Sequence, residues 1–180
     1  MCIRDRNLTF EDISENAGIA KNEGWRSGIT IVDINNDGYQ DIYITRGGFK
    51  NDPVKNRNLL LVNQKNLTFK EEAAIYGIDD PGYSIAATFF DYDNDNDLDL
   101  YLTNRPDHWG INTEELVKAK ELQKTKIDPL TSHHLYRNDG NKFIDVSKEA
   151  GIYPSYAYGL AAIAGAVSYT HLTLPTSDLV

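Results

Sequence analysis

The apolar residues of this chain lie in short runs that are separated by loops rich in Asp, Asn and Gly. Short runs bounded by turn-forming residues predict β-strands. Apolar residues also occupy successive positions, as in Phe89-Phe90, which is typical of strands covered on both faces. The pattern predicts eight strands, at residues 28–33, 41–45, 59–63, 67–71, 86–91, 99–103, 134–137 and 142–146.

The order of these strands repeats along the chain. Residues 25–45 correspond to residues 83–103, and the loops within them begin at Asp33 and Asp91, 58 positions apart. A period of this size with about four short strands is typical of β-propellers and related arrays. We therefore predict an all-β fold that is a fragment of a β-propeller, with about two and a half four-stranded blades. A segment that ends in Gly-Ile occurs three times, at residues 7–19, 66–78 and 141–152.

The repeats predict where each blade begins and ends. The first blade covers residues 7–65, the second covers residues 66–140, and residues 141–165 begin a third that is cut short. A blade without a neighbour exposes one apolar face, and this favours association between chains. The pairs expected to be exposed in this way are Ile29 with Ile31 or Leu100 with Leu102.

One helical insertion interrupts the second blade at about residues 106–130. Thr113 can cap the start of a helix there, and Glu114 and Lys118 have the i,i+4 spacing of an ion pair. The insertion is either a solvated surface element at one rim of the array or a functional element. In the second case it would bind a partner or line a cleft.

The two ends of the chain do not follow the repeat pattern. Residues 1–6 match the translation of a transposon end that is used to build sequencing libraries, and residues 167–176 match its reverse complement. We therefore expect residues 1–6 and 166–180 to be adapter-derived, and residues 7–165 to be native. Cys2 is the only cysteine, so no disulfide is expected in the native stretch.

The composition argues against two classes of partner. The chain has 27 acidic and 18 basic residues, which gives a formal net charge of −9. Because nucleic-acid binding needs clusters of Lys and Arg, we expect no binding to DNA or RNA. No apolar run approaches the roughly 20 residues of a membrane-spanning helix, so no membrane span is expected.

Two loops carry the most distinctive chemistry of the sequence. Residues 33–41 and 91–99 share the pattern Asp-x-[Asp/Asn]-x-Asp-[Gly/Asn]-x-x-Asp. Carboxylates at alternate positions of a tight turn converge, and they repel one another unless a hard cation such as calcium lies between them. Side chains at positions 1, 3, 5 and 9 and the backbone carbonyl at position 7 would ligate. The predicted calcium ligands are Asp33, Asn35, Asp37, Tyr39 and Asp41 in the first loop, and Asp91, Asp93, Asp95, Asp97 and Asp99 in the second.

Two other interpretations of these loops exist. An EF-hand would need a bidentate Glu at the twelfth position, where Ile44 and Leu102 stand within predicted strands. Acidic turns without any metal are the second alternative. Position 6 of each loop needs a left-handed backbone, which Gly38 adopts freely and Asn96 tolerates.

Three weaker signals remain in the sequence. His133 and His134 stand at the entry of a predicted strand, where we expect them to be packed or solvated rather than metal-bound. Trp109 is expected to hold the long loop of the insertion, with stacking on a sugar as the alternative. Residues 138–140 predict a primed hairpin turn centred on Asp-Gly.

Four stretches of the chain resemble the FG-GAP/VCBS repeat family, the calcium-binding propeller repeats of integrin α chains. They are NLTFEDISENAGI, DINNDGYQDIYIT, FDYDNDNDLDLYLTN and LYRNDGNKFIDVSKEAGI, and they are similar in particular to the cartilage-acidic-protein-like (ASPIC/UnbV) branch. The resemblance covers residues 7–165. It implies four-stranded blades around an axis, usually seven, with calcium between the first two strands of a blade. It also implies a secreted, periplasmic or cell-surface location. Asn35 and Asn96 depart from the usual Asp and Gly.

We therefore expect a non-catalytic calcium-binding propeller segment, with two Ca²⁺ ions, that binds a protein or carbohydrate or serves adhesion. The other blades of the parent chain are expected as further partners. One alternative is the propeller part of a polysaccharide lyase or hydrolase whose catalytic residues lie partly outside this stretch. Another is a structural array that supports a further domain.

Overall fold

A computed structural model of the chain describes residues 10–19, 24–48, 52–106, 114, 117, 118, 121, 128–152 and 159–165. The ends expected to be adapter-derived lie outside these residues, and so does Trp109. Four residues of the predicted insertion helix are described, and all four are helical and exposed: Glu114, Val117, Lys118 and Glu121. Among the described residues, no helix has both the length and the apolar character needed to cross a membrane.

Eight strands form two antiparallel sheets of four strands each, in chain order. The first sheet contains β1 (Arg26–Val32), β2 (Asp41–Arg46), β3 (Leu59–Asn63) and β4 (Phe69–Glu71). The second contains β5 (Ser84–Phe90), β6 (Asp99–Asn104), β7 (His134–Asn138) and β8 (Phe143–Asp145). Two short helices lie in connections: α1 (Pro53–Asn56) between β2 and β3, and α2 (Ala73–Tyr76) between β4 and β5. The predicted mostly-β structure is confirmed, with each strand within two residues of its predicted ends.

The two sheets repeat each other in detail. The first strand of each sheet has a register shift at the same place, between Arg26 and Gly28 in β1 and between Ser84 and Ala86 in β5. Because even this irregularity recurs, the sequence repeat is also a structural repeat.

The main hydrophobic core lies between the two sheets. Tyr43 of β2 is fully buried and meets the ring of Phe89 edge to face, with centroids 5.6 Å apart. Leu100 and Leu102 of β6 belong to this core and are fully buried. The expectation that this pair could be exposed is therefore wrong. Side chains alternate along a strand, and this pair lies on the face that packs against the first sheet.

The first sheet is covered on both faces over its middle strands. Ile44, Leu59 and Leu61 point away from the main core and pack against Ile19, at the end of the preceding Gly-Ile segment. This arrangement confirms the prediction of strands covered on both sides. The first strand is different, because Ile29 and Ile31 are 65% and 56% exposed, as expected for an edge without a neighbour.

The first strands of the two sheets lie side by side. The Thr30 hydroxyl of β1 donates to the Ala87 carbonyl of β5 at 2.9 Å. Thr88 occupies the position of Thr30 in the second repeat, and its hydroxyl donates to the Ala162 carbonyl at 2.7 Å. Residues 159–165 therefore meet β5 in the way that β5 meets β1.

The hairpin between β7 and β8 has the primed turn that the sequence predicts, but one residue further along. Gly140 and Asn141 have φ angles of 67° and 69°, and the Asp139 amide donates to the Lys142 carbonyl at 2.8 Å. The central residues are therefore Gly140-Asn141, rather than Asp139-Gly140. The shift follows from the pairing of Asn138 with Phe143, which extends the ladder to the turn.

Candidate metal centres

The last aspartate of each loop is the most firmly held of the predicted ligands. Asp41 begins β2, Asp99 begins β6, and both are fully buried. Burial raises the pKa of each carboxyl, although hydrogen bonds from backbone amides oppose the rise. Each carboxylate accepts one hydrogen bond from a backbone amide of its own loop. It accepts a second from the last residue of the third strand of its sheet. The donors are Ile34 (3.1 Å) and Asn63 (2.8 Å) for Asp41, and Tyr92 and Asn138 (2.8 Å) for Asp99.

The first aspartate of each loop closes the turn through backbone amides. Asp33 accepts the Asp37 amide at 3.0 Å and the Gly38 amide at 2.8 Å. Asp91 plays the same part in the second loop, where it accepts hydrogen bonds from the Asp95 and Asn96 amides, both at 3.2 Å. The shared hydrogen bonds give the two loops one shape.

Two residues of each loop adopt the left-handed backbone. At position 6, Gly38 has φ 85° and Asn96 has φ 74°, which confirms the prediction for that position. At position 4, Asn36 and Asn94 have φ 54° and 64°, which the sequence reasoning missed. The signal was available, because Asn is one of the few residues with a side chain that enters this region readily.

The second loop brings three carboxylates together. Asp91, Asp93 and Asp99 each present an oxygen atom within 4.8 Å of the other two. Within the described residues, this is the one group of three acidic, His or Cys side chains so arranged. The fourth carboxylate, that of Asp95, accepts the Asp97 amide at 3.0 Å.

The Asp97 side chain was not among the predicted ligands, since only its carbonyl was expected to bind. Its Oδ1 atom is buried and has no hydrogen-bond partner within the described structure. Burial raises the pKa of this carboxyl, and the nearby charge of Asp95 raises it further. A backbone hydrogen bond from Gly140 opposes the rise, but the buried Oδ1 atom has no donor of its own among the described residues, which is costly.

The first loop has a different charge balance. The Lys65 ammonium lies 3.3 Å from Asp37 Oδ2 and 5.3 Å from the centre of the Tyr39 ring. Burial acts to raise the pKa of Asp37, but the Tyr39 amide and the Lys65 ammonium outweigh it and the pKa is lowered. Asn35 supplies an amide where the second loop has the carboxylate of Asp93.

The donor atoms of both loops suit a hard cation. All the predicted ligands offer oxygen, from carboxylates, one side-chain amide and backbone carbonyls. Calcium takes six to eight oxygen ligands in flexible geometry, whereas zinc and copper favour nitrogen and sulfur. The three converging carboxylates make the second loop the better fit to calcium.

A second polar cluster lies on the outer strands of the second sheet. His134 Nδ1 is 2.8 Å from Asp145 Oδ2, and its Nε2 is 2.9 Å from the Pro129 carbonyl. The Asp80 carboxylate accepts the Tyr136 hydroxyl at 2.7 Å and lies 3.9 Å from His134 Nε2. Burial acts to lower the pKa of His134, but Asp145 and Asp80 outweigh it and raise the pKa to about 8.

The neighbouring histidine has the opposite character. His133 Nδ1 accepts the Asn104 amide at 3.0 Å, so this nitrogen carries no proton. Burial lowers the pKa of His133, and the charge of His134 lowers it further. At the strand entry His134 is buried and His133 is half-buried, which fits the expectation that these histidines are packed or solvated there. The roles of Asp80 and Asp145 were not identified from the sequence.

Comparisons with known proteins add no family assignment. A scan against protein-family models found no match to this chain. A search of the curated proteins also found no match.

Proposed function

We propose that this chain is a segment of a calcium-binding β-propeller of the FG-GAP/VCBS type, with no catalytic role. The observation that carries the proposal is the second loop, where the oxygen atoms of Asp91, Asp93 and Asp99 lie within 4.8 Å of one another. Like charges this close repel strongly unless a cation lies among them. Hydrogen bonds from two backbone amides hold Asp99 in place, so the cluster cannot easily relax by moving apart.

Calcium in each loop would supply the positive charge that offsets this repulsion. In the second loop, Asp91, Asp93, Asp95, Asp99 and the Asp97 carbonyl would hold the ion. The corresponding ligands of the first loop would be Asp33, Asn35, Asp37, Asp41 and the Tyr39 carbonyl. The second site offers four side-chain carboxylates and the first offers three. Because greater ligand charge increases affinity for a hard cation, the second site binds calcium more tightly.

The propeller part of the proposal is supported by the junction between the two sheets. The bond from Thr30 to Ala87 recurs as the bond from Thr88 to Ala162, one repeat further along the chain. This recurrence supports a constant step from one sheet to the next, with a third unit beginning beside the second sheet. In a propeller such steps continue until the ring closes, and related propellers usually have seven blades.

The biological role follows from the sequence resemblance. We propose that the parent protein is secreted, periplasmic or displayed on the cell surface, and that its propeller binds a protein or a carbohydrate. Calcium then serves to hold the loops at one rim of each blade in a fixed shape, rather than to take part in a reaction.

Thermal unfolding of the full chain in calcium and in EDTA tests the metal assignment. A ligand at 100 times its dissociation constant stabilises the folded state by about 2.7 kcal/mol. For a chain of this size the Tm should rise by roughly 5–10 °C. Asp93→Ala should remove most of this rise, because it removes one of the three converging carboxylates.

The matched control is Glu149→Gln, which removes one exposed negative charge outside both loops. This variant should keep the full response to calcium. If the chelator leaves the Tm of the unmodified chain unchanged, the metal assignment is wrong.

A further inference from the structure

The β3–β4 hairpin places a lysine at the first loop. Lys65 has a left-handed backbone (φ 64°), and its amide donates to the Asn63 side chain at 2.9 Å. The backbone amide of Asn63 in turn donates to the Asp41 carboxylate. The same hairpin that fixes Asp41 therefore also holds Lys65, whose ammonium lies 3.3 Å from Asp37 Oδ2.

The second loop has no equivalent arrangement at its own hairpin. The left-handed residues of the β7–β8 turn are Gly140 and Asn141, neither of which carries a charge. The hairpin carries two cations. The Arg137 guanidinium binds Asp139 at 2.8 and 3.0 Å, and the Lys142 ammonium donates to the Ile75 carbonyl at 3.3 Å. Thus a cation pairs directly with a carboxylate of the first loop. In the second loop Arg137 acts electrostatically on Asp93, but its guanidinium pairs with Asp139 instead.

We propose that Lys65 is a tethered counter-cation of the first loop, which offsets the negative charge there without metal and competes with calcium for Asp37. This inference rests on the calcium sites proposed above. Calcium and an ammonium group both need the Asp37 carboxylate, and two cations cannot lie close together without repulsion. Calcium binding at the first loop therefore requires the Lys65 side chain to move away.

This competition makes the two loops differ in how strongly they depend on calcium. The Lys65 side chain is half exposed, so it can leave Asp37 for solvent without crossing packed structure. The first loop keeps its shape when calcium is scarce and fills only at higher concentration. The second loop depends more strongly on metal, since its nearby cation Arg137 is paired with Asp139 and not with a loop carboxylate.

Calorimetric calcium titration of the full chain tests this competition. Asp93→Ala serves as the background in every sample, because it leaves the first site as the one to be measured. Adding Lys65→Met should tighten calcium binding by about three- to tenfold, since an exposed ion pair is worth up to about a factor of five and the calcium ion carries two charges. Lys65→Arg keeps the charge and should leave the affinity close to that of the background.

The matched control is Lys70→Met, on the outer strand β4, where Lys70 pairs with Glu72 at 2.7 Å. This variant removes the same charge away from the loop and should leave calcium affinity unchanged. An equal gain in affinity for Lys65→Met and Lys70→Met would mean that only net charge matters and would overturn the inference. Unchanged affinity in Lys65→Met would also overturn it, while leaving the calcium sites intact.

A second measurement does not depend on calcium binding. In EDTA, Lys65→Met should lower the Tm more than Lys70→Met does, because only the first variant leaves the Asp37 carboxylate without a counter-charge. Equal Tm values for the two variants in EDTA would contradict the proposed role. If the unmodified chain binds no calcium at either site, the proposed function fails, and the competition fails with it.

Discussion

Replacing His134 with Gln should remove a pH-dependent part of the stability of the folded chain. The imidazole lies between Asp145 Oδ2 at 2.8 Å and the Pro129 carbonyl at 2.9 Å, with Asp80 at 3.9 Å. Tyr136 stacks on the ring with centroids 5.6 Å apart. These contacts join β7 and β8 to the end of the insertion and to the segment between the sheets. The cluster therefore connects parts of the chain that are distant in sequence.

The size of the effect follows from the pKa of His134, which rises from 6.5 to about 8 on folding. One pKa unit corresponds to about 1.4 kcal/mol, so the protonated ring contributes about 2 kcal/mol. Because the folded-state pKa is the higher one, this contribution is fully present below pH 6.5 and is lost as the pH rises through 8. The side chain is only 10% exposed, so solvent screening removes little of it.

At acid pH, Asp145 gives the stability a weaker pH dependence of the opposite sign. Burial acts to raise the pKa of Asp145, but hydrogen bonds from His134 and Ser147 lower it to about 2. Its contribution is present above pH 3.8 and is lost as the pH falls through 2. The Asp145 side chain is 44% exposed, so screening reduces this contribution. Maximum stability from this pair therefore lies between about pH 4 and pH 6.5.

Urea denaturation of the full chain at low micromolar concentration, followed by tryptophan fluorescence from pH 5 to pH 9.5, measures the effect. The difference in unfolding free energy between the unmodified chain and His134→Gln should shrink by about 2 kcal/mol between pH 6 and pH 9. His133→Gln is the matched control. The pKa of His133 is lowered, so above pH 7 the unfolding free energy of this variant should change with pH in the same way as that of the unmodified chain. A His134→Gln difference that is the same at pH 6 and pH 9 would refute the reasoning.

Three further predictions concern the junction between the sheets, the edge of the array and the ends of the chain. Gly28→Ala should lower the unfolding free energy by about 1–3 kcal/mol in denaturant titration, because the added Cβ would lie 2.5 Å from the Ile85 carbonyl oxygen. The chain should self-associate in sedimentation velocity through the exposed face of Ile29 and Ile31, and a single stable monomer would contradict a blade without its neighbour. Deleting residues 1–6 and 167–180, which lack the repeat pattern, should leave the Tm unchanged, and a lower Tm would show that these segments belong to the fold.

The strands and loops could be predicted because their signals are local. Each strand is a short apolar run that ends at Asp, Asn or Gly, and the repeat shows where each run recurs. The position of the loops between the first two strands of each sheet follows from the same pattern. Side-chain oxygens at fixed spacing were enough to predict Asp91, Asp93 and Asp99, which the second loop brings within 4.8 Å of one another.

The features that the sequence did not predict depend on contacts between distant segments. The assignment of Leu100 and Leu102 to the buried face depends on which side of the second sheet meets the first. The partners of His134 are 5 to 54 positions away in the chain, and nothing in their local sequence links them. Lys65 meets Asp37 only because two hairpins of one sheet lie side by side.

Calorimetric titration of the unmodified full chain with calcium tests the central claim most directly. We predict saturable binding of two calcium ions per chain, with unequal affinities. The tighter site should be lost in Asp93→Ala and the weaker one in Asp37→Ala. Absence of saturable calcium binding, or binding that survives both substitutions together, would contradict the account of these loops as metal centres.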